Sequence, residues 1–464
     1  MKDKPRIGLL VTGLLEDEYN KTGHLRPKFI DTTNSLAKVL SAYGEIINPG
    51  FVEYESDAER AAQMFNATGV DLIVVVELAY QKGATPMRTL LDIRAPILVW
   101  NTQYIRCLPE NADFDVIMLN SGMCGLPELT NALLRTGRGF RMITSHVADP
   151  HGLAQIEEYA AAAAAVSRLR KARVGIIGHP YEGMTDLMVD QLSLRHSVGP
   201  LCWPIEPEKI ALASTDMPAE KVRALMEEES RRFRTESMSP EIFERSARLA
   251  LALEQVVREN QIDALATFEH AWLADPRVGI IPNYGAGRLS SLGVPSVPEG
   301  DVPTAVAMLL LQELVGHSTI MENYVMDFDH NTIMLSHDGT GNPALAARPA
   351  DVSIKPSIYY RGIHGFGAAF EFAYAPGAVT ILSLIPLGNG KWRFIVAEGE
   401  SLPMKPRALS APQMTFRYSG GSIQEYCDRW CSAGAPHHMA LAYGKLTSKI
   451  RRVGELLGVE VVAV

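Results

Sequence analysis

An α/β fold is predicted, with two parallel-sheet domains followed by a C-terminal, mostly antiparallel β domain, and three observations predict it. Short apolar runs alternate with amphipathic helical stretches over the first 170 residues. The alternation restarts at residue 171. Beyond residue 315 helical periodicity gives way to strand-like segments separated by Gly and Pro. A chain of 464 residues with 47% hydrophobic content is too long for one ordinary core. The expected domains are 1–170, 171–315 and 316–464, the last with a terminal helix and strand.

In the first domain, Ile7–Val11, Asp71–Val76, Ile97–Trp100, Val116–Leu119 and Phe140–Thr144 read as buried parallel strands. Phe29–Tyr43 and Ala58–Ala67 have helical period. The alanine run at 160–165 lies among Glu and Arg and reads as helix. In the second domain, Arg173–Gly178, Lys209–Ala213 and Asp263–Thr267 read as strands. Gly183–His196 reads as helix, as does a long charged region ending at Asn260. In the third, Ile320–Asp327, Ala378–Leu387, Trp392–Glu398 and Met414–Tyr418 read as strands of an antiparallel sheet or barrel. His438–Leu457 reads as a helix and Val459–Val464 as a final strand.

Composition narrows the function classes. The net charge is −9, and basic residues cluster only briefly, as at Arg168 to Arg173, so nothing marks a nucleic-acid footprint. No apolar stretch reaches the roughly 20 residues that span a bilayer, and no secretory leader is read at the N-terminus. Five cysteines in a chain this long make no disulfide framework, so a cytoplasmic location is expected. Cys427 and Cys431 read as two thiols on one helix face, because their spacing matches no common zinc pattern.

Four places hold metal-capable or acid/base residues in unusual contexts. In Val297-Pro298-Glu299-Gly300-Asp301, Asp301 is a candidate N-cap, which leaves Glu299 in a loop at a helix N-terminus. Glu322 lies inside an apolar strand-like run, where a carboxylate faces solvent or is buried with a partner. His337 follows an apolar strand end, and His437-His438 are expected at the entry to a helix. Two carboxylates and two imidazoles suit Mn²⁺, Co²⁺ or Mg²⁺ better than zinc. His179 with Met184 and Asp186, and Phe268-Glu269-His270, lie at carboxyl ends of strands, where open sheets form sites.

The ordered set resembles the L-arabinose isomerase and L-fucose isomerase family, with the L-arabinose isomerases as the nearer match. The likeness is carried by Asn101-Thr102-Gln103, Leu108-Pro109, Leu119-Asn120, Gly183-Met184, Thr267-Phe268-Glu269, Glu299-Gly300-Asp301, Met321-Glu322, Ser336-His337 and His437-His438. Glu299 to Glu322 is 23 residues and Glu322 to His337 is 15, close to the family's intervals. The resemblance implies two Rossmann-like (flavodoxin-like) domains before the β domain. It also implies a divalent metal, Mn²⁺ first with Co²⁺ or Mg²⁺ as alternatives, on Glu299, Glu322, His337 and His438. Glu299 and Glu322 would be catalytic. Tyr80, Gln103, Met123, Met184, Phe268 and His437 would contact substrate. A homo-oligomer (trimer or hexamer) with a sugar as substrate is implied, and no membrane or nucleic-acid partner.

Departures from the pattern fall in the sugar-reading residues. Met123 and Leu126 stand where the family has a substrate-contacting His and a nearby Arg. Leu14-Leu15-Glu16-Asp17 replaces its Gln-His-Leu-Tyr, Tyr80 its pocket Phe, and Asn323 its Asp. The expected function is aldose–ketose isomerisation through an enediolate, on a sugar other than L-arabinose. The alternatives are epimerisation of a ketose or acid sugar, or sugar binding without turnover.

Overall fold

The computed structural model describes residues 4–13, 24–358 and 364–464. The segment Leu14-Leu15-Glu16-Asp17 lies outside them. The chain divides into two compact units, Met1–Ser167 and Arg168–Val464.

The first unit is built on β1 (Arg6–Thr12), β2 (Glu45–Ile47), β3 (Phe51–Val52), β4 (Leu72–Glu77), β5 (Ile97–Asn101) and β6 (Phe140–Thr144). Their order is β2-β1-β4-β5-β6, with β3 also on β1, and every pairing is parallel. All six residues of β4 are buried, as expected of a strand covered on both faces. Ala58, Ala62 and Phe65 of helix Glu55–Thr68, with Leu129 and Leu133 of helix Leu126–Arg135, join Ile73, Val75 and Val99 in one core. The strand expected at Val116–Leu119 is instead a helix, Phe114–Met118. Asp113 caps it by accepting the Val116 N–H at 3.0 Å, which closes a helical turn over a β-branched run.

The second unit holds two sheets. The parallel one comprises β7 (Arg173–Ile177), β8 (Leu201–Ile205), β9 (Ala264–Thr267) and β10 (Ser296–Val297), in the order β10-β9-β7-β8. Lys209–Ala213 is not a strand. It belongs to helix Pro207–Thr215, whose proline sits in the first turn, where its missing N–H costs nothing. The strand is β8, and its Pro204 is tolerated because β8 lies at the sheet edge. Gly183–His196 is not one helix either. It is a 3₁₀ turn, Thr185–Leu187, and a short helix, Gln191–Ser197, started by Asp190 accepting from Leu192 and Ser193. Helix Pro240–Glu259 buries Ala247, Leu249, Leu253 and Val256 with Ile177, Ile210 and Leu265.

The other sheet comprises β11 (Thr319–Asp327), β12 (Thr332–Ser336), β13 (Ser353–Ile358), β14 (His364–Ala373), β15 (Gly377–Pro386), β16 (Trp392–Leu402), β17 (Pro412–Tyr418), β18 (His438–Tyr443) and β19 (Glu460–Ala463). The antiparallel ladder β17-β12-β11-β18-β15-β16 returns to β17, so six strands close into a barrel with no free edge. Met321, Leu335, Ile381, Ile395, Phe416 and Leu441 are buried together in its core. The helix expected over His438–Leu457 is a correction. Its first part is β18, a central barrel strand. Gly444, at φ 110°, breaks the chain before the helix Thr447–Leu457 begins. Among the described residues, no helix is long and apolar enough to cross a membrane.

Candidate metal centre

The barrel register assembles half of the site. Glu322 on β11 pairs with His438 on β18 and with Ser336 on β12, and His337 follows Ser336. Directly opposed residues of an antiparallel pair face the same side. Glu322 and His438 therefore share a face, with the nearest Glu322 oxygen 3.8 Å from the His438 Nε2, and His337, just past the end of β12, meets His438 Nε2 to Nε2 at 3.0 Å. Both histidines are buried, at 3% and 0% exposure.

Glu299 arrives from the parallel sheet, in the turn between β10 and helix Val302–Val315. Its backbone is left-handed, φ 59°, a conformation uncommon for a residue with a side chain and frequent at functional sites. The turn is tied down: Glu299 N–H donates to Glu269 Oε2 at 2.6 Å, and Gly300 N–H to the Thr267 carbonyl at 3.1 Å. Glu299 Oε2 lies 3.5 Å from His438 Nε2 and 3.3 Å from His437 Nε2. Asp301 is the helix N-cap, as the sequence predicts. Its second oxygen faces His438 Nδ1 at 2.9 Å. A carboxylate beside a ring nitrogen fixes the proton there and leaves Nε2 as the free lone pair.

Two overlapping groups can hold a cation: Glu299, His337 and His438, and Glu322, His437 and His438, each with ligand atoms within 4.8 Å of one another. Glu299, Glu322 and His337 thus each approach His438 Nε2, divided between two groups of which the second also takes in His437. The O₂N₂ donor set of the four expected ligands fits a borderline or hard divalent ion, and the two Nε2 atoms facing one another give such an ion a common approach.

Charges in the site are strongly coupled. Burial pushes Glu299 up, but His437, His438 and His337 around it outweigh that and hold its carboxyl below the usual range. Burial lowers His337 despite Glu322 nearby. Burial works against the charged form of His438 too, yet Asp301 keeps its pKa above the ordinary value. Burial likewise opposes the charge on His437, but Glu299 and Asp186 raise it to about 9. Burial raises Glu269 to about 7. Burial also raises Asp338 to about 7, reinforced by Glu322 and Glu299.

A cavity of about 380 Å³ opens beside these groups. Met184, Glu299, Glu322 and His337 line it, with Glu269, Asp338, Tyr324 and Asn283, and no Lys or Arg is among its lining residues within the described parts of the chain. Phe268 stands next to this wall. It stacks on His179 at 4.3 Å and meets Tyr181 edge-on at 5.8 Å, with His270 at 5.6 Å. Tyr80, Gln103 and Met123 belong to the first unit. Tyr80 donates to Glu128 at 2.9 Å, Gln103 donates to the Ile105 carbonyl at 2.8 Å, and Met123 is exposed. Sequence reasoning missed Tyr324 and Asn283 as cavity walls, for which no motif signals, and it read Asp301 as a cap alone.

Residues 317–460 match the family model described as the L-arabinose isomerase C-terminal domain. The L-arabinose isomerase of Nocardioides sp. is 26% identical over 435 residues, covering 88% of this chain and 84% of that protein. The L-arabinose isomerase of Acidothermus cellulolyticus is 22% identical over 460 residues, with 93% and 89% covered. That of Anoxybacillus flavithermus is 23% identical over 391 residues, with 81% and 76% covered. Over most of its length the chain is similar to these L-arabinose isomerases.

Proposed function

We propose that this L-arabinose isomerase-like chain is a metal-dependent aldose–ketose isomerase acting on a neutral sugar other than L-arabinose. The observation that carries the reading is the convergence of Glu299, Glu322, His337 and His438 from two sheets beside a cavity of sugar size. A divalent cation held there, Mn²⁺ first, would supply Lewis-acid stabilisation of the negative charge that develops on an enediolate. Glu299 and Glu322 both line the cavity and are the groups of this chain placed to take a proton from C2 and return one at C1. Asp301 holds the His438 ring in place, and Met184 and Tyr324 line the cavity beside the two glutamates.

Charge and the sequence departures both bear on the substrate. Four carboxyl groups line the cavity, with no Lys or Arg among the described lining residues, and their charge disfavours acid sugars and sugar phosphates. Met123 and Leu126 stand where the family pattern has a His and an Arg, which supports a sugar other than L-arabinose. Simple sugar binding leaves the clustered carboxylates and imidazoles without a role. A homo-oligomer is part of the reading, supported by exposed Val325, Met326 and Phe328 on and beside β11. A reducing, cytoplasmic setting is supported by five unpaired cysteines.

The test is incubation of the Mn²⁺-loaded protein in D₂O with neutral aldoses and ketoses, acid sugars and sugar phosphates, the products read by NMR. A neutral aldose–ketose pair interconverting with deuterium entering at C1 or C2 is expected. Turnover of acid sugars alone, or C3 or C4 epimerisation of a ketose, would overturn the reading.

A further inference from the structure

His437 and His438 are adjacent, and each is held by its own carboxylate. Asp301 holds His438. Asp186 holds His437 through one oxygen: Oδ2 accepts the backbone N–H at 3.0 Å and the ring Nδ1–H at 2.6 Å. That bond joins residues 251 apart in the chain and leaves the His437 Nε2 facing Glu299 Oε2 at 3.3 Å. The segment bearing Asp186 is itself fastened to the Glu299 turn. Tyr181 N–H donates to the Glu299 carbonyl at 3.0 Å. Gly300, at φ 68°, has no room for a Cβ, which would lie 2.4 Å from the His179 carbonyl oxygen. Met184, two residues before Asp186, lines the cavity.

We infer that Asp186 is a positioning residue for the proposed isomerisation: it fixes the His437 ring so that Nε2 alone is offered toward Glu299 and the reacting oxygens. An imidazole without such a partner can flip about its ring axis and exchange tautomers, presenting carbon or the wrong nitrogen. Asp186 removes that freedom with two bonds to one residue. The kinetic consequence rests on the isomerase reading, while the ring geometry does not.

The test uses full-length protein labelled with ¹⁵N-histidine, free of added metal and sugar, with His437→Asn to assign the signals. In the wild type, the His437 Nδ1 carries a slowly exchanging proton. In Asp186→Ala that protection is lost and the ring signals report an imidazole that samples both flipped orientations. Mn²⁺ affinity, measured by competition with a chelating dye, stays unchanged in the variant. With Mn²⁺ and the sugar found active, Asp186→Ala lowers kcat about 10- to 100-fold. The double variant with His437→Asn falls no further than His437→Asn alone. Asp186→Asn, which keeps an acceptor oxygen, shows smaller changes of the same sign and serves where the alanine variant does not fold. Unchanged His437 ring signals, or additive losses in the double variant, would overturn the proposal. A wild type that turns over no sugar would sink the isomerase reading, and the ring signals would still decide the role of Asp186.

Discussion

Asp301 serves two elements at once: Oδ2 faces the His438 Nδ1 at 2.9 Å, and Oδ1 accepts the Thr304 N–H at 2.9 Å. One side chain thereby caps the helix that follows the Glu299 turn and fixes the tautomer of a barrel imidazole 137 residues away. The cap sets where Glu299 stands, and the imidazole bond sets which nitrogen of His438 it meets.

The two roles separate by substitution. Asp301→Asn keeps a good N-cap but offers an amide to His438, so thermal stability falls little while Mn²⁺ affinity drops about 10- to 100-fold. Asp301→Ala loses both bonds, costing about 1 kcal/mol for the cap and about 1–3 kcal/mol for the stranded buried imidazole. Denaturant melts and Mn²⁺ titrations check this. Equal stability losses in the two variants would refute the division of roles.

Glu77 predicts a pH dependence confined to the first unit. Burial raises its carboxyl to about 8, Gln81 N–H opposes this through a hydrogen bond, and Glu128 adds to it. The folded state thus holds a proton that the unfolded chain releases near the ordinary value of 4.5. The first unit is most stable below that value and loses stability as pH climbs toward 8, by at most about 5 kcal/mol. Glu77→Gln, which mimics the neutral acid, should flatten that decline, as hydrogen exchange of β4 and β5 amides between pH 5 and 8 would show. An unchanged slope in the variant would contradict the assignment.

Two glycines pack on this same residue and respond differently. A Cβ on Gly125 would lie 1.6 Å from Glu77 Oε1, a side-chain atom, whereas one on Gly122 would lie 1.7 Å from the Glu77 backbone oxygen. Both alanine variants should destabilise the first unit by at least about 1–3 kcal/mol. Adding Glu77→Ala should relieve Gly125→Ala and leave Gly122→Ala unrelieved, which a double-mutant cycle measures.

Much of the fold was legible because parallel strands buried on both faces announce themselves. Leu72–Glu77 is such a strand and was read almost to the residue; Phe140–Thr144 was placed as well, but it is a largely exposed edge strand and not the buried one expected. The errors have local causes. His438–Tyr443 is rich in Met, Ala and Leu, residues that favour helix, and only its pairing between β11 and β15 makes it a strand. Lys209–Ala213 is a short apolar run of strand length, but Pro207 sets a helix start two residues earlier. The proposed ligand set came from spacing and resemblance. The links from Asp301 to His438 and from Asp186 to His437 were not, because contacts across 137 and 251 residues leave no mark in local sequence.

Glu299, Glu322, His337 and His438 are proposed to share one divalent cation. That claim is tested most directly by a crystal structure of the Mn²⁺-soaked protein with an anomalous difference map. A single strong peak about 2.0–2.3 Å from one oxygen of each glutamate and from both Nε2 atoms is predicted. A map with no peak among these four residues, or with its peak elsewhere in the chain, would contradict the claim.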